Sequence, residues 1–201
     1  MSRAILHIGT HKTGMALPIT AVQILWVNLI TAVTLGLALA FEPSEAGTMR
    51  RPPRPRGAPL LSGALVWQIV FASGLFLAAI FGVYLYAIGT GHPTALARTM
   101  AMNMLVVLEI VYLFYIRNVH DTSLTWDAAR GTRVVWICVI GVTAAQLAIT
   151  YLPFMQAIFG TRPVPLAEGL LILAAGAVGF ALLETEKQMR LAVRRPAPES
   201  G

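Results

Sequence analysis

Charged side chains are scarce in this sequence, in which Asp, Glu, Lys and Arg together make up 12% of the residues and hydrophobic residues 57%. The mean hydropathy is +0.71, so the apolar groups exceed what the core of one soluble domain can bury. The low charge and the long apolar runs exclude an ordinary soluble enzyme. They predict an integral membrane protein.

Cysteine is nearly absent as well. The single Cys138 lies inside an apolar run, which excludes an internal disulfide and leaves metal thiolate chemistry without a second ligand. The net charge of +6 would suit a nucleic-acid-binding protein, but the basic residues lie between apolar runs and no nucleic-acid-binding motif accompanies them. We therefore expect the lipid bilayer as a partner, and no nucleic acid.

Apolar stretches of about 20 residues, the length that a helix needs to cross the hydrocarbon core, occur five times. None has the strict alternation of a barrel strand, and lipid offers no hydrogen-bond partner to the backbone of an open strand. The sequence therefore predicts an all-α membrane protein, a bundle of about five transmembrane helices. The predicted spans are residues 17–41, 62–88, 95–116, 133–152 and 166–183.

Basic residues are shared unevenly among the connections, and cytoplasmic loops are enriched in Lys and Arg. The first and third connections and the C-terminal tail hold four, three and four of them, whereas the second and fourth hold only Arg98 and Arg162. The pattern predicts that loops one and three and the C-terminus are cytoplasmic and that the N-terminus is external. Because no signal peptide precedes such a start, we expect the chain to be the end of something longer.

A few polar groups inside the predicted spans suit a hard cation. On a helical wheel Thr20, Asn28 and Thr31 lie within roughly 80° of one another. Glu109 is the only acidic residue deep within any span. Amide, hydroxyl and carboxylate oxygens are the ligands that hard cations prefer. Asn28 and Thr31 could equally serve hydrogen bonds between helices, whereas a buried carboxylate must be paired, protonated or bound to a cation.

Two separated motifs connect these residues with a family. The run "LPITAVQILWVNLIT" leads through "FEP" to "MRRPPRPRGAPLLSG", and "TMAMNMLVVLEIVYLF" occupies residues 99–114. They resemble the sixth and eighth membrane helices of P-type cation-transporting ATPases, in the branch of the calcium and sodium/potassium pumps. The resemblance covers about residues 17–190 and implies that the spans are helices six to ten. It also implies that Asn28, Thr31 and Glu109 contribute to a membrane cation pathway.

Two departures from the family pattern concern the expected cation site. Ala32 stands where the calcium and sodium/potassium pumps have an aspartate, so a central charged ligand is missing. Residues 33–35 then precede Gly36, where the calcium-pump pattern has Gly and Pro that unwind the helix. We therefore expect fewer free backbone carbonyls for coordination. A single carboxylate suits a divalent ion poorly, so the cation stays unassigned, with a monovalent cation or a proton at least as favoured as calcium.

The motifs of the family's ATP chemistry are missing from the sequence. Neither "DKTGT" nor "TGE" is present, and in "THKTGM" His11 takes the place of the phosphorylated aspartate. Helices four and five, which supply the family's other principal cation ligands, have no counterpart either. The family uses ATP and Mg in domains absent here, so we expect no cofactor and no catalytic residue in this chain. The expected protein is a truncated or split pump in the bacterial plasma membrane, without ATP hydrolysis of its own.

An alternative is a non-enzymatic five-helix membrane protein that packs against a partner pump or forms a homo-oligomer. Gly74, Ala78 and Gly82 favour this alternative, because small residues spaced by four permit close approach of a second helix. A third hypothesis is a passive ion pathway through the bundle, lined by the candidate cation residues.

The first residues do not follow the pump pattern. "MSRAILHIGTHKTG" resembles the opening strand and phosphate loop of sulfotransferases, in which Lys12 and backbone amides would hold a phosphate. The match stops at Met15, so we interpret this segment as a fusion or truncation junction. At the other end, Lys187 and the arginines after it are interpreted as a solvated helical end. The predicted domains are a non-family segment 1–16, the transmembrane domain 17–190 and a disordered tail 191–201.

The purified 201-residue chain is expected to form no phosphoenzyme, because the aspartate that the family phosphorylates is missing. Incubation with radiolabelled ATP and Mg, followed by acid gel electrophoresis, measures this directly. A complete P-type pump handled in parallel is the positive control. An ATP-dependent labelled band from this chain would contradict the prediction.

Overall fold

The computed structural model describes residues 17–41, 63–117 and 133–194. Five of the helices in these ranges are long and apolar enough to cross a membrane. The predicted all-α bundle of five spans is therefore confirmed. In chain order the helices are α1 (Ala21–Ala40), α2 (Gly63–Gly89), α3 (Thr94–Arg117), α4 (Arg133–Tyr151), α5 (Pro153–Phe159) and α6 (Leu166–Arg194).

Two features of the helices differ from the predicted spans. The short helix α5 begins with Pro153 and ends before Gly160, whose φ of 64° is a left-handed conformation that glycine adopts without strain. Helix α6 continues past the span that ends at residue 183, as the helical end in the sequence indicates, and it extends to Arg194, four residues into the segment 191–201 predicted as a disordered tail. The sulfotransferase-like segment, the rest of the tail and the basic first and third loops lie outside the described residues.

Helix α3 is the centre of the bundle, because it packs against α1, α2, α4 and α6. Half of its membrane span is buried, whereas only 17% of α2 and 22% of α6 are. Its buried residues include Met100, Met102 and Met104, none of which has measurable exposure. Methionine has an unbranched, adaptable side chain, so these residues can fill the irregular gaps between four neighbouring helices.

Glycines bring α6 close to α3. A Cβ atom added at Gly176 would overlap Cγ1 of Val107, and one added at Gly179 would lie 3.1 Å from Cδ2 of Leu108. The two glycines are three residues apart and therefore lie on the same side of α6. Within a bilayer, where helix association depends on close packing, small residues at such a crossing stabilise it.

The small residues predicted to mediate association lie on the opposite side of α2 from its packed face. Gly74, Ala78 and Gly82 are exposed, and a Cβ added at either glycine would have no atom within 4 Å. Helix α2 instead packs through residues such as Val83 and Ala87. The small-residue face is thus free of contacts within the described residues, and a partner for it stays a prediction.

Lys187 lies in a polar cluster on the buried side of α6, so its interpretation as a solvated residue is wrong. Lys187 has no exposed surface, its Nζ lies 2.8 Å from Oε2 of Glu184, and it sits 5.1 Å from the ring centre of Tyr115. Arg190 donates hydrogen bonds to the Tyr115 hydroxyl and to Oε1 of Gln68, each at 3.3 Å. These side chains join α6 to α2 and α3.

At the opposite end of the bundle, hydrogen bonds hold the segment around α5 against the long helices. The Thr161 hydroxyl donates to the carbonyl of Ile149 at 2.6 Å, and the Arg162 amide donates to Oγ1 of Thr99 at 3.0 Å. The hydroxyl of Tyr151 donates to the carbonyl of Val164 at 2.9 Å. The connection between α4 and α6 is therefore tied to α3 and α4 by polar contacts.

Gly176→Ala is expected to lower the free energy of unfolding by about 1–3 kcal/mol, because the new methyl group would overlap the stiff Val107 side chain. Gly74→Ala is the matched control, and its better helix propensity should stabilise the chain by up to about 1 kcal/mol. Unfolding by SDS titrated into mild detergent, followed by tryptophan fluorescence, measures both. The Val107→Ala change should rescue Gly176→Ala. Equal stability of the two glycine variants would disprove the close crossing.

A candidate cation site between α1 and α3

The N-terminus of α1 is a capping box formed by Thr20 and Gln23. The Gln23 amide donates to Oγ1 of Thr20 at 3.4 Å, and the Thr20 amide donates to Oε1 of Gln23 at 3.1 Å. Nε2 of Gln23 also donates to the carbonyl of Phe159 at 3.0 Å. Thr20, which the helical wheel groups with Asn28 and Thr31, therefore caps the helix and lies apart from the candidate site. The T-x-x-Q spacing is a sequence signal for this cap.

Thr31 lies on the buried face of α1. It is 6% exposed and is one turn after Val27, which is 1% exposed. The Thr31 hydroxyl donates a hydrogen bond to the Val27 carbonyl at 2.6 Å, so its proton is satisfied within the helix.

Glu109 of α3 meets Thr31 from the other side of this contact. The Thr31 hydroxyl and the Glu109 carboxyl are neighbours in this contact. The second carboxylate oxygen of Glu109, Oε2, is buried and has no hydrogen-bond partner among the described residues. The structure thus brings two of the three candidate residues together and leaves one buried oxygen without a hydrogen-bond donor in the described part of the chain.

Asn28 does not join this pair. It is exposed on the surface of α1, beside the exposed Leu25 and Leu29. It forms no hydrogen bond with another described residue. The single polar stripe expected from the helical wheel therefore separates into a cap, a buried hydroxyl and an amide on the outer surface, because α3 and α4 together cover only one side of α1.

The oxygens contributed by α1 and α3 are too few to bind a cation on their own. Among residues 17–41, 63–117 and 133–194, no group of three or more His, Cys, Asp or Glu side chains is placed to hold a metal ion. A calcium ion takes about six to eight oxygen ligands, whereas Thr31 and Glu109 offer one hydroxyl and one carboxylate. Thr31 and Glu109 can therefore form only one side of a cation site, and further ligands would have to come from elsewhere.

Sequence reasoning missed a second polar cluster, between α3 and α4. Oδ1 of Asn103 accepts hydrogen bonds from Nε2 of Gln146 at 2.6 Å and from the Thr150 hydroxyl at 3.1 Å. An amide within each of two predicted spans was the available signal. Because the cluster is uncharged and its members bond to one another, we assign it to helix association, where such bonds contribute about 0.6–2 kcal/mol.

A family model described as "Cation transporting ATPase, C-terminus" matches residues 16–189. The chain belongs to this family. The assignment confirms the resemblance seen in the two sequence motifs, and with the five apolar helices it makes the chain an integral membrane protein that forms the C-terminal membrane region of a P-type cation-transporting ATPase.

Similar proteins carry cation-pump names. The chain is 41% identical to "Probable cation-transporting ATPase F" of Mycobacterium tuberculosis over 87% of its own length and 19% of that protein. It is 33% identical to "Cation-transporting ATPase pma1" of Synechocystis over 75% of the chain and 17% of that protein. The mouse "Calcium-transporting ATPase type 2C member 2" is 27% identical over 90% of the chain and 19% of its own length. The chain thus spans about a fifth of the relatives it matches.

Glu109→Gln is expected to raise the free energy of unfolding by about 1–3 kcal/mol, because it replaces an ionisable group whose Oε2 is buried with no donor among the described residues. Glu186→Gln is the matched control, since that carboxylate accepts from Nε1 of Trp67 at 3.1 Å and lies 3.5 Å from Nε of Arg190. It should destabilise the chain by up to about 1 kcal/mol. Thermal unfolding in mild detergent measures both, and a less stable Glu109→Gln protein would mean that Glu109 has a structural partner.

Proposed function

We propose that this chain forms the C-terminal part of the membrane cation pathway of a P-type pump, with Asn28, Thr31 and Glu109 as its contribution to the cation site. The observation that carries the proposal is Oε2 of Glu109, which is buried beside Thr31 and has no hydrogen-bond partner in residues 17–41, 63–117 and 133–194. Ionisable groups inside a membrane are costly and are retained where they bind or move ions. A cation or a proton would complete the coordination of this carboxylate.

The exposed face of α1 is the proposed contact with the rest of the pump. Only 24% of the α1 span is buried within the described structure, and Asn28 lies on its exposed side together with large apolar residues such as Leu29. Helices corresponding to the fourth and fifth of the pump would cover this face. Asn28 would then become buried and contribute its amide oxygen from the exposed flank of α1, one turn before Thr31.

A monovalent cation or a proton-coupled exchange is the proposed cargo. Helix α1 is continuous from Ala21 to Ala40, so its backbone carbonyls near Ala32 and Gly36 are engaged in helical hydrogen bonds. This side of the site offers one carboxylate and no free backbone carbonyls. A divalent cation favours more negative charge and more oxygen ligands than that.

The proposed location is the plasma membrane of a bacterium, with the C-terminus in the cytoplasm and the N-terminus outside. The positive charge of the first and third loops and the tail supports this orientation. ATP and Mg would bind in the remaining four-fifths of the pump. Energy would reach the cation site through movement of the helices that pack on α1.

The small-residue face of α2 supports a second candidate function, in which the bundle packs against a partner pump or a second copy of itself. Gly74 and Gly82 are exposed with open space around them, and such faces allow close helix pairing in lipid. This candidate requires no ion at Glu109.

Transport by a reassembled pump distinguishes the two candidates. The chain is co-expressed with the remainder of the Mycobacterium tuberculosis relative, and ATP-dependent uptake of radioactive sodium, rubidium and calcium is measured in vesicles. Glu109→Gln should lower uptake roughly tenfold or more, since a group that stabilises the bound ion by about 1.4 kcal/mol accounts for a factor of ten. Thr31→Ala should lower uptake less, because it removes an uncharged oxygen.

Glu186→Gln is the control for a carboxylate outside the site and should transport as the unmodified chain does. Uptake that survives in Glu109→Gln would overturn the proposed cation site. In that case, loss of assembly with the partner on Gly74→Leu substitution, observed by co-purification, would favour the packing function instead.

A further inference from the structure

The short helix α5 has an inner and an outer row of apolar side chains. Met155 and Phe159, one turn apart, pack against the apolar cluster that α1, α3 and α4 form. Phe154 and Ile158, also one turn apart, are 71% and 52% exposed. Helix α5 has no charged residue, and its one polar side chain, Gln156, lies in neither row. It therefore presents a purely apolar row to the surroundings of the bundle.

The lengths of α1 and α4 indicate how deep α5 lies. Helix α1 has 20 residues and α4 has 19, which is about 30 and 28 Å at the rise of an α-helix. The hydrocarbon core is about 30 Å thick, so each of these helices is only just long enough to cross it. Their ends therefore lie close to the boundaries of the core.

Phe159 contacts α1 on the inner side of this boundary. Its carbonyl accepts a hydrogen bond from Nε2 of Gln23, the third residue of α1, at 3.0 Å. Its ring centre lies 5.3 Å from that of Trp26, the sixth residue of α1. The end of α5 thus lies at the depth of the first two turns of α1, roughly 3–8 Å inside the core.

Protein groups satisfy the polar backbone at this connection, as burial in hydrocarbon requires. The last four carbonyls of a helix have no partner within it. At the end of α4, the Thr150 carbonyl accepts from Nε2 of Gln156 at 2.8 Å, and the Ile149 carbonyl accepts from the Thr161 hydroxyl at 2.6 Å. Irregular backbone is tolerated at membrane depth where protein supplies such partners. The hydrogen bonds of this connection therefore suit a place inside the membrane.

We propose that α5 is embedded in the lipid leaflet at this end of the bundle, with Phe154 and Ile158 against the acyl chains. Exposed apolar residues continue from α4 through Leu152 into this row, so the lipid that surrounds α4 also reaches α5. Interfacial helices bury their apolar face about 5–10 Å into the boundary between headgroups and chains. Under the proposed orientation the leaflet is the external one, whereas the embedding itself depends neither on that orientation nor on an ion at Glu109.

An embedded α5 would anchor the adjoining end of α1. Gln23 and Trp26 of α1 both contact Phe159, so a displacement of this end has to break those contacts or carry α5 through the lipid. Movement of α1 within the pump would then be larger at its opposite end. This consequence rests on the proposed function, whereas the position of α5 can be measured in this chain alone.

Site-directed spin labelling in phosphatidylcholine vesicles tests the proposal. Cys138 is the single cysteine of the sequence, so Cys138→Ala supplies a background without thiols. Phe154→Cys and Ile158→Cys are each labelled with a nitroxide in that background. Molecular oxygen concentrates in hydrocarbon, whereas a nickel chelate stays in water. Both labels should collide several-fold more often with oxygen than with the chelate.

Two further labels calibrate the measurement. Ile140→Cys places a label near the middle of α4, where Ile140 is 63% exposed, and should favour oxygen most strongly. Thr90→Cys labels the exposed turn that follows the 27-residue α2 at the same end of the bundle and should favour the nickel chelate. Circular dichroism shows that each variant is folded, and the two α5 positions serve as independent tests.

Labels on α5 that collide mainly with the nickel chelate, as at Thr90, would overturn the proposal, because the outer row would then face water. Few collisions with either reagent would overturn it as well. In that case protein, rather than acyl chains, would cover Phe154 and Ile158.

Discussion

Hydrocarbon offers no hydrogen-bond partner to a polar group, and this constraint governs the whole bundle. The backbone satisfies it by forming helices, and the hydroxyls of Thr31, Thr99 and Thr143 satisfy it by donating to the carbonyl one turn earlier. Asn103 and Gln146 satisfy it by bonding to each other. The polar groups that obey this rule hold the bundle together, and a carboxylate deep in a span that does not obey it is a candidate for function.

Glu109 departs from the rule. Its buried Oε2 has no partner among the described residues, although α3, on which it lies, is the most buried of the spans. A carboxylate kept at such a place costs free energy unless something else binds there. The chain belongs to the cation-transporting ATPases, in which a buried carboxylate can bind the transported ion. The exposed Asn28 on the neighbouring α1 indicates the side from which further ligands would approach.

Much of the architecture follows from the length and composition of the apolar runs, and the five predicted spans correspond to α1, α2, α3, α4 and α6. The helical wheel was less reliable for side chains, because it treats each helix alone. It grouped Thr20 with Thr31, although Thr20 caps the helix, and it could not indicate that α3 covers Thr31 and leaves Asn28 exposed. The position of Lys187 was predicted wrongly for the same reason. Lys187 is buried because it forms an ion pair with Glu184 and its ammonium group lies over the ring of Tyr115.

The sequence by itself determined that the chain spans a membrane, the number of its spans and the family to which it belongs. Hydrophobic length and local motifs carry that information, since a helix in lipid forms from its own hydrogen bonds. Only the tertiary structure decided which polar groups meet: Thr31 with Glu109, Asn103 with Gln146, and Arg190 with Tyr115. The reason is physical, because helix rotation and spacing are set by packing at close crossings such as Gly176 against Val107, and contacts between distant residues follow from them.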